Sequence, residues 1–125
     1  MGERHEERAL SVLQAFIGGD IDAILAHFST DAVLHSHAWR DPAIGRQAIR
    51  DELDRQAALY TDLSIEIRHI ASTDGAVLTE RLDSFYVGNK AVTIHIMSTM
   101  EMDEELLITS FRNHFDSSEI GAQLD

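Results

Sequence analysis

Hydrophobic positions in residues 3–17 recur at helical spacing, with Ala9, Leu10, Leu13, Phe16 and Ile17 on one face. Gly18-Gly19 ends this helix, and Asp20 is placed to cap a second one in which Ile21, Ile24, Leu25 and Phe28 share a face. Residues 31–36 read as a short strand, and 37–45 as a loop with Pro42 and Gly45 as breakers. Residues 46–59 predict a third helix whose inner stripe is Ile49, Leu53 and Ala57, continued by Tyr60. After residue 61 the period changes from 3.6 to 2. LSIEIRHIAS, AVLTERLDSFYV, AVTIHIMSTMEM and ELLITSFRNHFD each alternate as strands, separated by turn signals at Thr73-Asp74-Gly75, Gly88-Asn89-Lys90 and Asp103-Glu104. Three helices followed by a long antiparallel meander make an α+β domain. Strands of about ten residues exceed the usual five or six. Long strands curve, and a curved sheet closed by helices forms a cone with a pocket.

Composition narrows the function classes. The 125 residues fit one domain, 1–125, with 117–125 expected as a short, polar, loosely ordered tail. With 22 acidic against 10 basic residues the net charge is −12. Nucleic acid is therefore not an expected partner, because phosphate binding needs a basic patch. Anionic membrane surfaces are disfavoured for the same reason. The absence of cysteine excludes a disulfide framework, a thiolate metal site and a Cys nucleophile. No apolar run serves as a signal or a membrane span, so a cytoplasmic protein is expected. There is no internal repeat, no Gly-rich phosphate loop and no calcium-loop spacing, and no cofactor is expected. Acidic runs at Glu3, Glu6 and Glu7 and at Asp51, Glu52 and Asp54 read as solvated helix faces.

Several stretches then acquire meaning together. The helix-Gly-Asp-helix start, FSTDAVLHS, IGRQAIRDEL, GAVLTERLDSF and SFRNHFDSSEI, in this order, resemble the nuclear transport factor 2-like superfamily over residues 8–120. Within it the chain is most similar to limonene-1,2-epoxide hydrolases and SnoaL-like polyketide cyclases. The resemblance implies a cone of three N-terminal helices packed on a curved antiparallel sheet around a pocket for a small hydrophobic molecule. It also implies a homodimer through the sheet face.

The segment Thr79-Glu80-Arg81-Leu82-Asp83 resembles the Glu-Arg-x-Asp segment of those hydrolases. Arg81 and Asp83 lie two apart on a strand and so point to one face, with Val77, Thr79 and Phe85. By spacing alone they also fit a surface ion pair. The resemblance implies that Asp83 is the acid and Arg81 the cation that orients it. The family's base is the Asp of a Trp-Arg-Asp-Tyr-Phe segment, which here reads Phe111-Arg112-Asn113-His114-Phe115. An amide such as Asn113 cannot take a proton from water at neutral pH. The same position carries the acid/base carboxylate of the SnoaL-like cyclases. The hydrolases' water-holding Tyr and Asn correspond to Leu34 and Ser36.

Histidine is the other candidate chemistry. His35 and His37 form an H-x-H pair, a possible metal half-site. Alternation turns His35 away from Leu34 and Ser36, His95 away from Ile94 and Ile96, and His114 away from Asn113. The expected metal site is therefore none. A histidine-dependent dehydratase or isomerase, resembling scytalone dehydratase, requires one of these four inside the cone. The expected pocket lining is Leu13, Phe16, Leu34, Ser36, Ile65, Phe85, Ile94, Ile96, Phe111 and Phe115. Trp39 fits both a cover over the mouth and a dimer contact. Met97, Met100 and Met102 read as packing on the sheet face. Two functions remain: acid/base chemistry through Asp83 and Arg81 (epoxide hydrolase-, isomerase- or cyclase-like), and a non-catalytic small-molecule binding module.

Overall fold

A computed structural model describes residues 2–36 and 41–124. Helix α1 (Gly2–Gly18) ends where Gly19 adopts φ +76°. There the Gly19 amide bonds back to the carbonyls of Ala15 and Phe16. Asp20 caps α2 (Ile21–Leu25), its carboxylate accepting from the amides of Asp22 and Ala23. The helix is shorter than its apolar pattern predicts. Phe28 does not belong to its face but begins strand β1 (Phe28–His35), three residues ahead of the expected start. The cause is long-range: the His27 carbonyl accepts from the Ile108 amide and draws the chain onto the sheet. Phe28 then stacks on Phe111 in the core, with ring centroids 6.5 Å apart.

The segment expected as loop contains a short strand, β2 (Ala43–Ile44), paired to β1. Helix α3 (Arg46–Leu59) has the predicted bounds and buries Ile49 and Leu53. Strands β3 (Thr61–Thr73), β4 (Ala76–Val87), β5 (Lys90–Met102) and β6 (Ile108–His114) follow. The last starts later than predicted because residues 103–107 form a turn. In it Asp103 accepts from the amides of Glu105 and Leu107, and Leu106 takes φ +63°.

The strands form one curved, unclosed sheet in the order β2-β1-β6-β5-β4-β3. It is not wholly antiparallel, since β1 runs parallel to β6, with Leu34 opposite Phe111 and His35 opposite Arg112. Sequence periodicity reports which residues face inward, but not the direction of a partner far along the chain. The architecture is α+β, three helices against the concave side of a curved sheet.

Residues 118–124 are the clearest difference from the expected tail. They form helix α4 (Ser118–Leu124), whose first turn is held by Asp116 bonding both the amide and hydroxyl of Ser118. Strand β6 pairs only with Met97–Met102 of β5, which leaves the other half of β5 without a neighbour on that side. α4 covers it: the Gln123 side chain accepts from the Thr93 amide and donates to the Thr93 carbonyl. Exposed backbone on a strand is the driving need.

Two apolar clusters result. The larger gathers α1, α2, α3, β1 and β6 residues such as Val12, Ile24, Phe28, Ile49 and Phe111. The smaller comprises Phe85, Val92, Ile94 and Ile96, covered by Tyr60, Leu63, Phe115, Ile120 and Leu124. Met100 is buried in the larger cluster and Met102 packs against it, whereas Met97 is exposed. Among the described residues no helix is long and apolar enough to cross a membrane.

Candidate functional site

Alternation along β4 puts Val77, Thr79, Arg81, Asp83 and Phe85 on the inner face, and all five are buried. Register then sets their neighbours. Thr79 lies opposite Ser98 of β5, Ser98 lies opposite Asn113 of β6, and Arg81 and Asp83 lie opposite Ile96 and Ile94. A polar cluster thus crosses three strands inside an apolar surround.

Arg81 and Asp83 are 2% and 6% exposed, which excludes the surface ion pair that their spacing also allowed. The guanidinium is fully engaged. Nε and Nη2 donate to the two Asp83 oxygens, both at 3.0 Å. Nη1 donates to Ser98 Oγ at 2.9 Å and Thr79 Oγ1 at 3.5 Å. Nη2 also donates to Asn113 Oδ1 at 3.5 Å. A buried ion pair is tolerated when its geometry is good and its remaining hydrogen-bonding groups are satisfied, as here. Both Asp83 oxygens accept from a cation, the pattern of a carboxylate rather than a carboxylic acid.

The cluster forms part of the wall of a cavity of about 470 Å³ between the two apolar clusters. Leu13, Phe16, Ser36, Ile65, Phe85, Ile94, Ile96, Phe111 and Phe115 lie on that wall, with Arg81, Asp83 and Asn113. Leu34 does not. It is 3% exposed and packed into the larger cluster, and Leu53 and Phe111 form the wall instead. Sequence reasoning missed Tyr60 and Ile120, which also line the space. Tyr60 packs edge-on against Phe85, ring centroids 4.8 Å apart.

A second polar cluster stands on the α3 side. The Ser36 hydroxyl donates to Glu52 at 3.0 Å, and Gln56 Nε2 donates to both Ser36 Oγ and Glu52. Arg55 binds both Glu52 oxygens, through Nε at 3.1 Å and Nη2 at 2.6 Å. Glu52 is therefore not on a solvated face as its acidic run suggested. Burial would push its carboxyl up, but hydrogen bonds from Arg55, Gln56 and Ser36 outweigh this and hold it down at about 2. The signal in the sequence was the stripe Glu52, Arg55 and Gln56 at helical spacing beside the apolar stripe.

The candidate histidines among the described residues do not enter the cavity. His95 and His114 are exposed and His35 is half-buried, and none of the three lies on the wall. His37 and Trp39 lie outside the described residues. Among the described residues no three His, Cys, Asp or Glu side chains gather as a metal-binding group.

Three helices on an unclosed, strongly curved sheet with a cavity between them define a nuclear transport factor 2-like cone domain. The SnoaL-like domain family matches residues 9–111, and the chain belongs to that family. Its fold is shared with a SnoaL-like polyketide cyclase from Shewanella denitrificans, at TM-score 0.87 and 17% identity over 96% of each chain. The epoxide hydrolase/cyclase-like enzyme SalBIII of salinomycin pyran-ring formation superposes at TM-score 0.84, with 19% identity over 94% of each chain. A limonene-epoxide-hydrolase-like epoxide hydrolase of Mycobacterium tuberculosis gives TM-score 0.75 and 24% identity, over 94% of this chain and 90% of that one.

Proposed function

We propose that the cavity takes a small hydrophobic molecule and that Asp83 moves a proton on it, with Arg81 orienting the carboxylate and Asn113 hydrogen-bonding beside it. The observation that carries this reading is the buried Arg81–Asp83 pair in the wall of a mostly apolar cavity of ligand size. Such a pair adds little net stability over apolar packing. Its position suits proton transfer, because a carboxylate in a dry site is both oriented and poorly solvated.

The two carboxylates of the limonene epoxide hydrolases are reduced here to one, since Asn113 cannot serve as a base for water. Asp83, accepting at both oxygens, starts as a proton acceptor. Reactions begun by proton removal, isomerisation or cyclisation, fit this better than epoxide hydrolysis. The structural neighbours include an epoxide hydrolase, an epoxide hydrolase/cyclase-like enzyme and a protein with a ketosteroid isomerase-like fold. A panel of terpene and steroid epoxides, ketones and enones tests the reading. Turnover by the wild type is expected to exceed that of Asp83→Ala by about 10²-fold or more. Equal inactivity of both across the panel overturns it.

Asn113 in place of a carboxylate favours a second reading, a binding module without turnover. It predicts ligands that raise the melting temperature, by about 2.7 kcal/mol of linkage at 100 times Kd, with no product formed. A screen in which no compound shifts the melting curve counts against it.

A further inference from the structure

We infer that the side-chain amide of Asn113 sets the polarity of the ligand where it meets the Arg81 cluster: it offers an N–H donor, so the molecule selected carries an acceptor oxygen, of the carbonyl class, at that end. This rests on the reading of the cavity as a ligand site.

The argument is a donor inventory. A guanidinium has five N–H groups, one on Nε and two on each Nη. In Arg81 all five are taken: by the two oxygens of Asp83, by Ser98 and Thr79, and by Asn113 Oδ1. Arg81 therefore has no hydrogen left for a ligand. Thr79 and Ser98 bond to each other as well as to Arg81, and neither lies on the cavity wall. Asp83 is on the wall but offers acceptors only.

Asn113 remains. Its orientation follows from chemistry, because a side facing an Arg81 donor must be the carbonyl oxygen. The Nδ2 end is thereby turned away from Arg81. It has no hydrogen-bond partner among the described residues, and Asn113 stands on the cavity wall. A carboxylate at this position would present acceptors. The amide reverses that polarity while keeping the shape. An acceptor oxygen on the ligand satisfies the Nδ2 hydrogens, whereas an apolar group of the same size leaves them unpaired, which is unfavourable.

The test uses matched pairs of ligands: cyclic ketones of cyclohexenone, monoterpene and bicyclic size, each against the analogue in which C=O is replaced by C=CH2. Calorimetry gives Kd for both members with wild type, Asn113→Asp and Asn113→Leu, each checked for folding by circular dichroism. The readout is the affinity ratio within a pair, which a general packing defect does not move. The wild type is expected to prefer the ketone by about tenfold, the scale of one neutral hydrogen bond. Both variants are expected to lose that preference, and Asn113→Asp to reverse it. A wild type that binds both members equally overturns the assignment to Asn113 and leaves the cavity reading standing. So does a ketone preference that survives in Asn113→Asp. If the wild type binds no member of any pair, the cavity reading fails and this inference fails with it.

Discussion

On the sheet side of the cavity, Arg81 and Asp83 sit two residues apart on one strand and are almost fully buried. On the α3 side, Glu52 and Arg55 sit three apart on a helix, with side chains 13% and 35% exposed. Both are two-pronged arginine–carboxylate pairs. They differ in where their other partners come from. The strand pair borrows Ser98 and Asn113 from neighbouring strands, whereas the helix pair is completed by the adjacent Gln56 and by Ser36. Water can compensate a loss in the partly exposed cluster better than in the buried one, so equal chemistry carries unequal consequences.

The largest effect is expected from Arg81→Met. It strands the Asp83 charge in the interior, and chemical denaturation should show a loss of about 3–5 kcal/mol. Arg55→Met should cost under about 1 kcal/mol in the same assay. Similar losses at both positions would erase the contrast. Restoring most of the stability in the double variant Arg81→Met, Asp83→Leu would sharpen it.

Turnover should separate the clusters too. On a substrate found by the panel, Asp83→Asn should lower kcat/KM about 10²–10⁴-fold, the range for a positioned proton-transfer group. Glu52→Gln should change it far less, because Glu52 is not on the cavity wall.

A smaller effect is pH-dependent. The folded value of Glu52 lies below its ordinary 4.5, at about 2. A depressed carboxyl stabilises the fold above its unfolded value and loses that contribution as pH falls through the folded one. Glu52→Gln should therefore be less stable than wild type near pH 6, on the order of 1 kcal/mol after allowance for solvent. The difference should shrink between pH 4.5 and 2. A gap that stays constant over that window would remove Glu52 as its source. Smallest of all, Gln123→Ala should cost about 0.5 kcal/mol by freeing the Thr93 backbone. Faster hydrogen exchange at the Thr93 amide would report it.

The register of function in this chain was only partly legible. Arg81 and Asp83 were readable as a pair because a strand repeats every two residues, so spacing alone puts them on one side. Their burial was not readable from that spacing. It depends on β5 and β6 lying alongside β4 in register, with Ser98 and Asn113 brought from 17 and 32 residues away, and on the apolar surround. Glu52 looked solvated because its charge pattern is that of an exposed helix face; the approach of Ser36, just past β1, completes the cluster that Arg55 and Gln56 begin. Leu34 has the inward parity of a lining residue, yet packing around it decided that it is core.

By itself, then, the amino-acid order determined the period of α1, α3 and the long strands, the bounds of α3, the strand turns and the substitution of an amide for an acid at Asn113. These depend on local geometry and on residue identity. Tertiary structure alone decided the parallel pairing of β1 with β6, the folding of residues 118–124 onto the unpaired half of β5, and the saturation of all five Arg81 donors. Each of these is a hydrogen-bond demand met by groups distant in sequence, which no local pattern can announce.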